Sequence, residues 1–180
     1  MKHTSYKFET MSPVELMAYL NGRHYPAVER LMDRIDMHMS GLIRSGSEVH
    51  PSLFRLDAEY RELSVLVKHH MQRNEDVLFP FIYQTLEEGL ANFERMDQLE
   101  KEIAFLNSGH IHMRVHLANL SEFSHGFKSE TDDGQEIQVL YSELHSLDGH
   151  LYRQFYLESI LLIQKVNTTL FQSLNQFYIE

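Results

Sequence analysis

The sequence predicts an all-α fold, an up-and-down four-helix bundle with short extra helices at the N- and C-termini. Four long segments carry apolar residues at helical spacing, short polar loops join them, and no segment alternates apolar and polar residues as a strand would. A chain of 180 residues suits one domain with a real core, so residues 1–180 are expected to form a single domain with its core over about 14–165.

The first helix signal is "SPVELMAYL". Ser12 can cap, Pro13 suits the first helical position, and Glu15 three residues after the cap completes a capping box. "NGR" is expected to break this short helix before "HYPAVERLMDRIDMHMSGLI", in which Leu31, Ile35 and Leu42 share a face. Pro26 belongs in the first turn of that segment, placing His24 at its mouth, and "RSGSEVHPS" ends it.

The second long helix runs from Ser52 to about Glu88, with Leu56, Leu63, Val67, His70, Asn74, Val77 and Phe81 on one stripe. The stripe selects His70 over His69, and Pro80 is expected to kink or loosen the helix. A third helix covers about Asn92 to Phe127, with "NSG" at 107–109 as a weak point. After the loop "KSETDDGQ" a fourth helix begins near Gln135 and runs past Lys165, and the tail "NTTLFQSLNQFYIE" is expected to form a further short helix.

Composition narrows the function. The apolar fraction of 43% is that of a globular chain. The formal charge of −10, without a basic cluster, argues against nucleic acid as a partner. No apolar run is long enough to span a bilayer or serve as a signal peptide, so the expectation is a cytoplasmic protein without a membrane partner. The absence of cysteine leaves only nitrogen and oxygen ligands for any metal. No hydrolytic motif or glycine-rich phosphate loop suggests a conventional enzyme.

Twelve histidines stand out in the composition. One lies on or near the inward stripe of each long helix: His24, His70, His110 and His150. One turn beyond His70 stands Asn74, and one turn beyond His150 stands Gln154. A dinuclear iron or manganese site in such a bundle would take bridging carboxylates at those two places, and amides carry no charge to offset the ions. Two alternatives remain open. Glu75, one residue later, and Glu158, one turn further, would reach the site if the helices carried a local bulge or rotation near Pro80. Otherwise "HMRVH" supplies His112 and His116 as a His-x-x-x-His pair, although His110 and His112 point about 200° apart on a helix.

"HHMQRNEDVLFP", "GRHYPAVERL" and "GHIHMRVHLANL" resemble the hemerythrin-like, HHE cation-binding superfamily, and especially its repair-of-iron-centres branch. The resemblance covers about Val14 to Lys165 and implies iron ligation by His24, His70, His110 and His150. It also implies glutamates where this chain has Asn74 and Gln154, and a second Leu-Phe-Pro where it has "FYLESILLI". The implied function is a non-haem iron protein, mono- or dinuclear or with another divalent metal. It would bind or sense oxygen or nitric oxide, or donate iron for repair under oxidative or nitrosative stress. The alternative is a metal-poor or single-metal bundle acting as a sensor or protein-interaction module. The apolar tail "LFQSLNQFYI" is suited to packing against another copy in a homodimer.

The remaining residues have plainer readings. The aromatic residues, Tyr152 and Tyr156 included, are expected to be packing, as are Met32, Met37 and Met39. His38, His125 and His145 are expected at the surface or in loops.

Overall fold

The computed structural model describes residues 8–44, 51–88, 93–129 and 134–177. The expected loop residues 45–50 and 130–133, Asn92 and the last three residues of the tail lie outside these. Among the described residues every regular element is helical, compatible with a helical bundle.

The first helical stretch is α1 (Pro13–Tyr19), a π-helical turn π1 (Leu20–His24) and α2 (Tyr25–Arg44). The second is α3 (Pro51–Arg73), π2 (Asn74–Leu78) and α4 (Phe79–Glu88), followed by α5 (Phe93–Phe123). The last is α6 (Gln135–Phe155), π3 (Tyr156–Leu162) and α7 (Ile163–Phe177). None of these elements is long and apolar enough to cross a membrane.

The N-terminal signal acts as expected. Ser12 Oγ accepts from Glu15 N–H and the Glu15 carboxylate accepts from Ser12 N–H, which closes the capping box with Pro13 just inside it. "NGR" does not break the helix, however. Asn21, Gly22 and Arg23 lie within π1, where Tyr25 N–H reaches back five residues to Leu20 C=O. Phe79 N–H reaches Asn74 C=O in the same way across π2. In both cases a proline, Pro26 or Pro80, follows two residues after the π turn. Proline offers no N–H to the carbonyl four residues back and its ring crowds that carbonyl. Widening the preceding turn relieves the crowding while the helix continues.

The extra residue in π2 shifts the buried stripe. Leu56, Leu63, Val67, His70 and Asn74 are buried as expected, but Val77 is 40% exposed and Phe81 only half-buried, while Leu78 and Ile82 are fully enclosed. A five-residue turn carries every later side chain one position further on. "NSG" does not weaken α5, which runs through it, and the tail does not form a separate helix, because α7 continues from π3 through Asn167 to Phe177. α5 ends in three consecutive left-handed residues, His125, Gly126 and Phe127, with Ser124 Oγ accepting from Phe127 N–H.

By contact density the described chain divides into two compact units. One comprises residues up to Tyr25, His70–Gly109 and residues from Arg153 onward; the other comprises Pro26–His69 and His110–Tyr152. The interior of the second is chiefly hydrocarbon, with Met32, Ile35, Met39 and Leu63 enclosed and the Tyr60 hydroxyl donating to Met32 C=O at 2.8 Å. Met37, by contrast, is exposed. The first unit encloses all three π turns and most of the buried polar side chains: His24, His70, Asn74, Thr85, Gln154 and Glu158.

Leu63 and Val65 lie two residues apart on α3, with Leu63 enclosed and Val65 exposed. Leu63→Ala is expected to lower stability by about 2–5 kcal/mol, and Val65→Ala to change it by no more than about 0.5 kcal/mol, in urea unfolding. Equal losses would contradict this assignment of the buried face.

Candidate metal centre

Two π turns shape the centre of the first unit. After π2 begins at Asn74, and within π3, the helices present Asn74 and Glu158 to the interior, and Glu158 is 0% exposed. His70 is buried one turn before Asn74, and Tyr25 is enclosed immediately after π1.

These four side chains meet. Tyr25 Oη donates to Glu158 Oε1 at 2.6 Å and accepts from Asn74 Nδ2 at 3.0 Å. His70 Nε2 stands 2.8 Å from Glu158 Oε2 and 3.1 Å from Asn74 Nδ2. The imidazole nitrogen thus faces a carboxylate and an amide together, and a proton on it can serve only the carboxylate. Within the first unit His70 and Glu158 thus offer an imidazole nitrogen and a carboxylate oxygen side by side.

Two features support the arrangement. A Cβ added to Gly109 would sit 2.9 Å from His70 Nδ1, so only glycine leaves this space to the ring. Tyr25 stacks on Phe79, with ring centroids 6.2 Å apart and planes 12° apart, which fixes the direction of its hydroxyl. Burial first, and then the adjacent Glu158 carboxylate, hold the Tyr25 phenol well above its usual pKa. Tyr25 is therefore a neutral donor at ordinary pH.

The donor set fits a divalent ion of intermediate hardness. Imidazole nitrogen and carboxylate oxygen suit zinc, iron and neighbouring metals. Ligands at about 2.0–2.2 Å from one ion stand about 3 Å apart, close to the spacings between His70, Glu158 and Asn74. Rotating the Asn74 carboxamide would present its oxygen, a neutral ligand, in place of its nitrogen. Glu158 is the one fully enclosed carboxylate among the described residues, with Glu75 half-buried nearby and acting on Tyr25.

The other expected site residues are placed as follows. His24 and His110 are buried, and His150 is half-buried. Gln154 is enclosed one turn before Glu158. Glu75 sits half-buried in the first turn of π2, where its charge acts on the Tyr25 phenol, and Glu158 meets His70. His116 is half-buried and pairs through Nδ1 with Glu59 Oε1 at 2.7 Å, where Asn119 also donates, while His112 is exposed. His69 is exposed, as the stripe predicts. His125 and His145 are exposed, and His38 is half-buried in an ion pair with Glu143.

Tyr25 is the residue that sequence reasoning missed. Its spacing reads as that of a packing aromatic, and its position directly after His24 is the one available signal. Tyr152 and Tyr156 are exposed instead of packed inside. No family model matches the chain.

Gly109 and Gly149 give opposite expectations. A Cβ at Gly149 meets nothing within 4 Å, so Gly149→Ala should stabilise by about 0.5–1 kcal/mol through helix propensity. Gly109→Ala should destabilise despite the same gain, because its methyl displaces His70; calorimetry on both variants checks this.

A pH expectation follows from Tyr25 and Tyr60, whose pKa values are both raised, chiefly by burial. A folded-state pKa above the unfolded value contributes stability that is complete below the ordinary tyrosine value of about 10 and is lost as pH rises above it. Ultraviolet titration should therefore show these two of the nine tyrosines ionising only together with alkaline unfolding, and Tyr25→Phe with Tyr60→Phe should remove both from that step.

Proposed function

We propose that this chain is a hemerythrin-like protein holding a divalent transition-metal ion, iron by the resemblance of its motifs, at His70 and Glu158. The observation that carries this reading is the meeting of His70 Nε2 with Glu158 Oε2 at 2.8 Å among wholly buried groups. A histidine and a carboxylate without solvent are expensive to enclose, and a shared cation is one way to offset that cost.

In this role a bound ion supplies Lewis acidity and open coordination positions for a small molecule. The chain does the rest. Glu158 brings the negative charge, and Tyr25 holds its other oxygen through an O–H donor. Asn74 orients that hydroxyl from the opposite side. Gly109 leaves room for the His70 ring. The proposed physiological work is binding or sensing of a small molecule such as oxygen or nitric oxide, or donation of iron in repair.

A second reading has its own support. Tyr25, Glu158, His70 and Asn74 already satisfy one another by hydrogen bonds. A metal-poor protein that works as a sensor or interaction module would keep this network as a structural core.

Metal analysis of untagged protein after anaerobic reconstitution with iron(II) separates the two. The proposal expects about one ion per chain and a melting temperature raised by the metal, in proportion to the logarithm of its excess. Glu158→Gln and His70→Ala should abolish both responses. Wild-type protein that takes up no iron, cobalt or zinc, and whose melting is indifferent to them, would leave the metal-poor reading standing.

A further inference from the structure

The two histidines of "HMRVH" on α5 stand in different surroundings. His112 is exposed, and His116, one turn later, is half-buried. His116 Nδ1 stands 2.7 Å from Glu59 Oε1 of α3, and Asn119 Nδ2 donates to the same oxygen at 2.8 Å. All four residues belong to the second unit, whereas His70 and Glu158 belong to the first.

The pairing with Glu59 fixes one ring nitrogen of His116 and leaves the other. A carboxylate only accepts, so Nδ1 carries the hydrogen of this bond, and in the neutral ring Nε2 keeps its lone pair for another partner. Imidazoles that hold metal ions are oriented in this way, by a carboxylate on the nitrogen that does not bind. Asn119 steadies that carboxylate in turn. With side-chain exposures of 24% for His116 and 18% for Glu59, the pair is held in place yet reached by ions from solvent.

His112 completes a chelate. Residues four apart on a helix carry their Cβ atoms about 5–6 Å apart on one side, and two histidines at this spacing can grip one ion. The His112 ring is exposed, so it can turn toward His116 without displacing packed atoms. His38 shows what the spacing adds. Its Nδ1 stands 2.7 Å from Glu143 Oε2 in the same way, but Arg34 and Leu42 lie one turn to either side and supply no second imidazole.

We propose that His112 and His116 form a surface site for a divalent ion of the zinc, copper and nickel class, with Glu59 and Asn119 as the groups that position His116. Two neutral nitrogens select this class, because calcium and magnesium take oxygen ligands. Water fills the remaining coordination positions. The usual order of divalent affinities places iron(II) below zinc and copper(II) at such a pair, so iron(II) uptake at His70 and Glu158 is read separately from it.

The test titrates the metal-free full chain with zinc by calorimetry, in wild type and in His112→Ala, whose altered side chain is exposed and carries no packing. Whatever number of ions the buried group takes, wild type should bind one zinc per chain more than the variant. Glu59→Gln should keep the count and weaken that ion about 10–100-fold; an unchanged affinity would overturn its positioning role. In nitrogen-15 spectra zinc should shift the rings of His112 and His116 together, directly at Nε2 of His116, and an equal concentration of calcium should shift neither. Equal zinc counts in wild type and His112→Ala would overturn the site and leave His116 and Glu59 as an ion pair between α3 and α5. Zinc that shifts the ring of His70 alone would overturn it too, while supporting the buried centre.

Discussion

The interior hydrogen bonds of Glu158 are the constraint on which this structure turns. A carboxylate with no exposure to water is expensive to hold, and here both of its oxygens are engaged, one by the Tyr25 hydroxyl and the other facing His70. Each partner is then fixed by a further choice of residue. Tyr25 needs the aromatic face of Phe79 and the amide of Asn74, and His70 needs the missing side chain of Gly109. Truncating Tyr25, His70 or Asn74 removes one of these bonds from a buried polar group. Such networks fail by more than the sum of single bonds for that reason.

The π turns belong to the same constraint. In an uninterrupted α-helix the stripe containing His70 and Asn74 would continue through Val77 and Phe81, but the wide turn hands the interior to Leu78 and Ile82. The two wide turns that precede proline put a backbone necessity to use, because proline already breaks the regular ladder of hydrogen bonds there. The third, Tyr156–Leu162, has no proline and encloses Glu158. Its presence is accounted for by what it buries and not by a local sequence signal.

Much of the helical layout was legible in the sequence. The capping box at Ser12, the choice of His70 over His69 and the burial of Met32 follow from period and capping chemistry, both of which act over a few residues. What was not legible depended on the width of a turn or on a distant partner. "NGR" and "NSG" carry the composition of breaks, yet both remain helical, the first within a π turn and the second beside an imidazole that needs the space. Glycine has one signature in sequence for flexibility and for close approach, and only the neighbouring His70 tells them apart. Likewise the sequence pointed to Glu75 and Glu158 only on condition of a local bulge, whose presence no residue type declares; the fold brings Glu158 to His70.

The two amides in carboxylate positions have separate physical consequences. Asn74 and Gln154 look like one substitution made twice, yet Asn74 is tied to Tyr25 while both polar atoms of Gln154 lack a partner. An amide at the first position is therefore explained by the network around Glu158: a second carboxylate there would stand beside the first and repel it, and would have no N–H to give the phenol oxygen. Placing the enclosed carboxylate at Glu158 and keeping an amide at Asn74 leaves one carboxylate beside the Tyr25 hydroxyl and the His70 ring. The two amides thus differ in their bonding although each stands one turn beyond a histidine, Asn74 beyond His70 and Gln154 beyond His150.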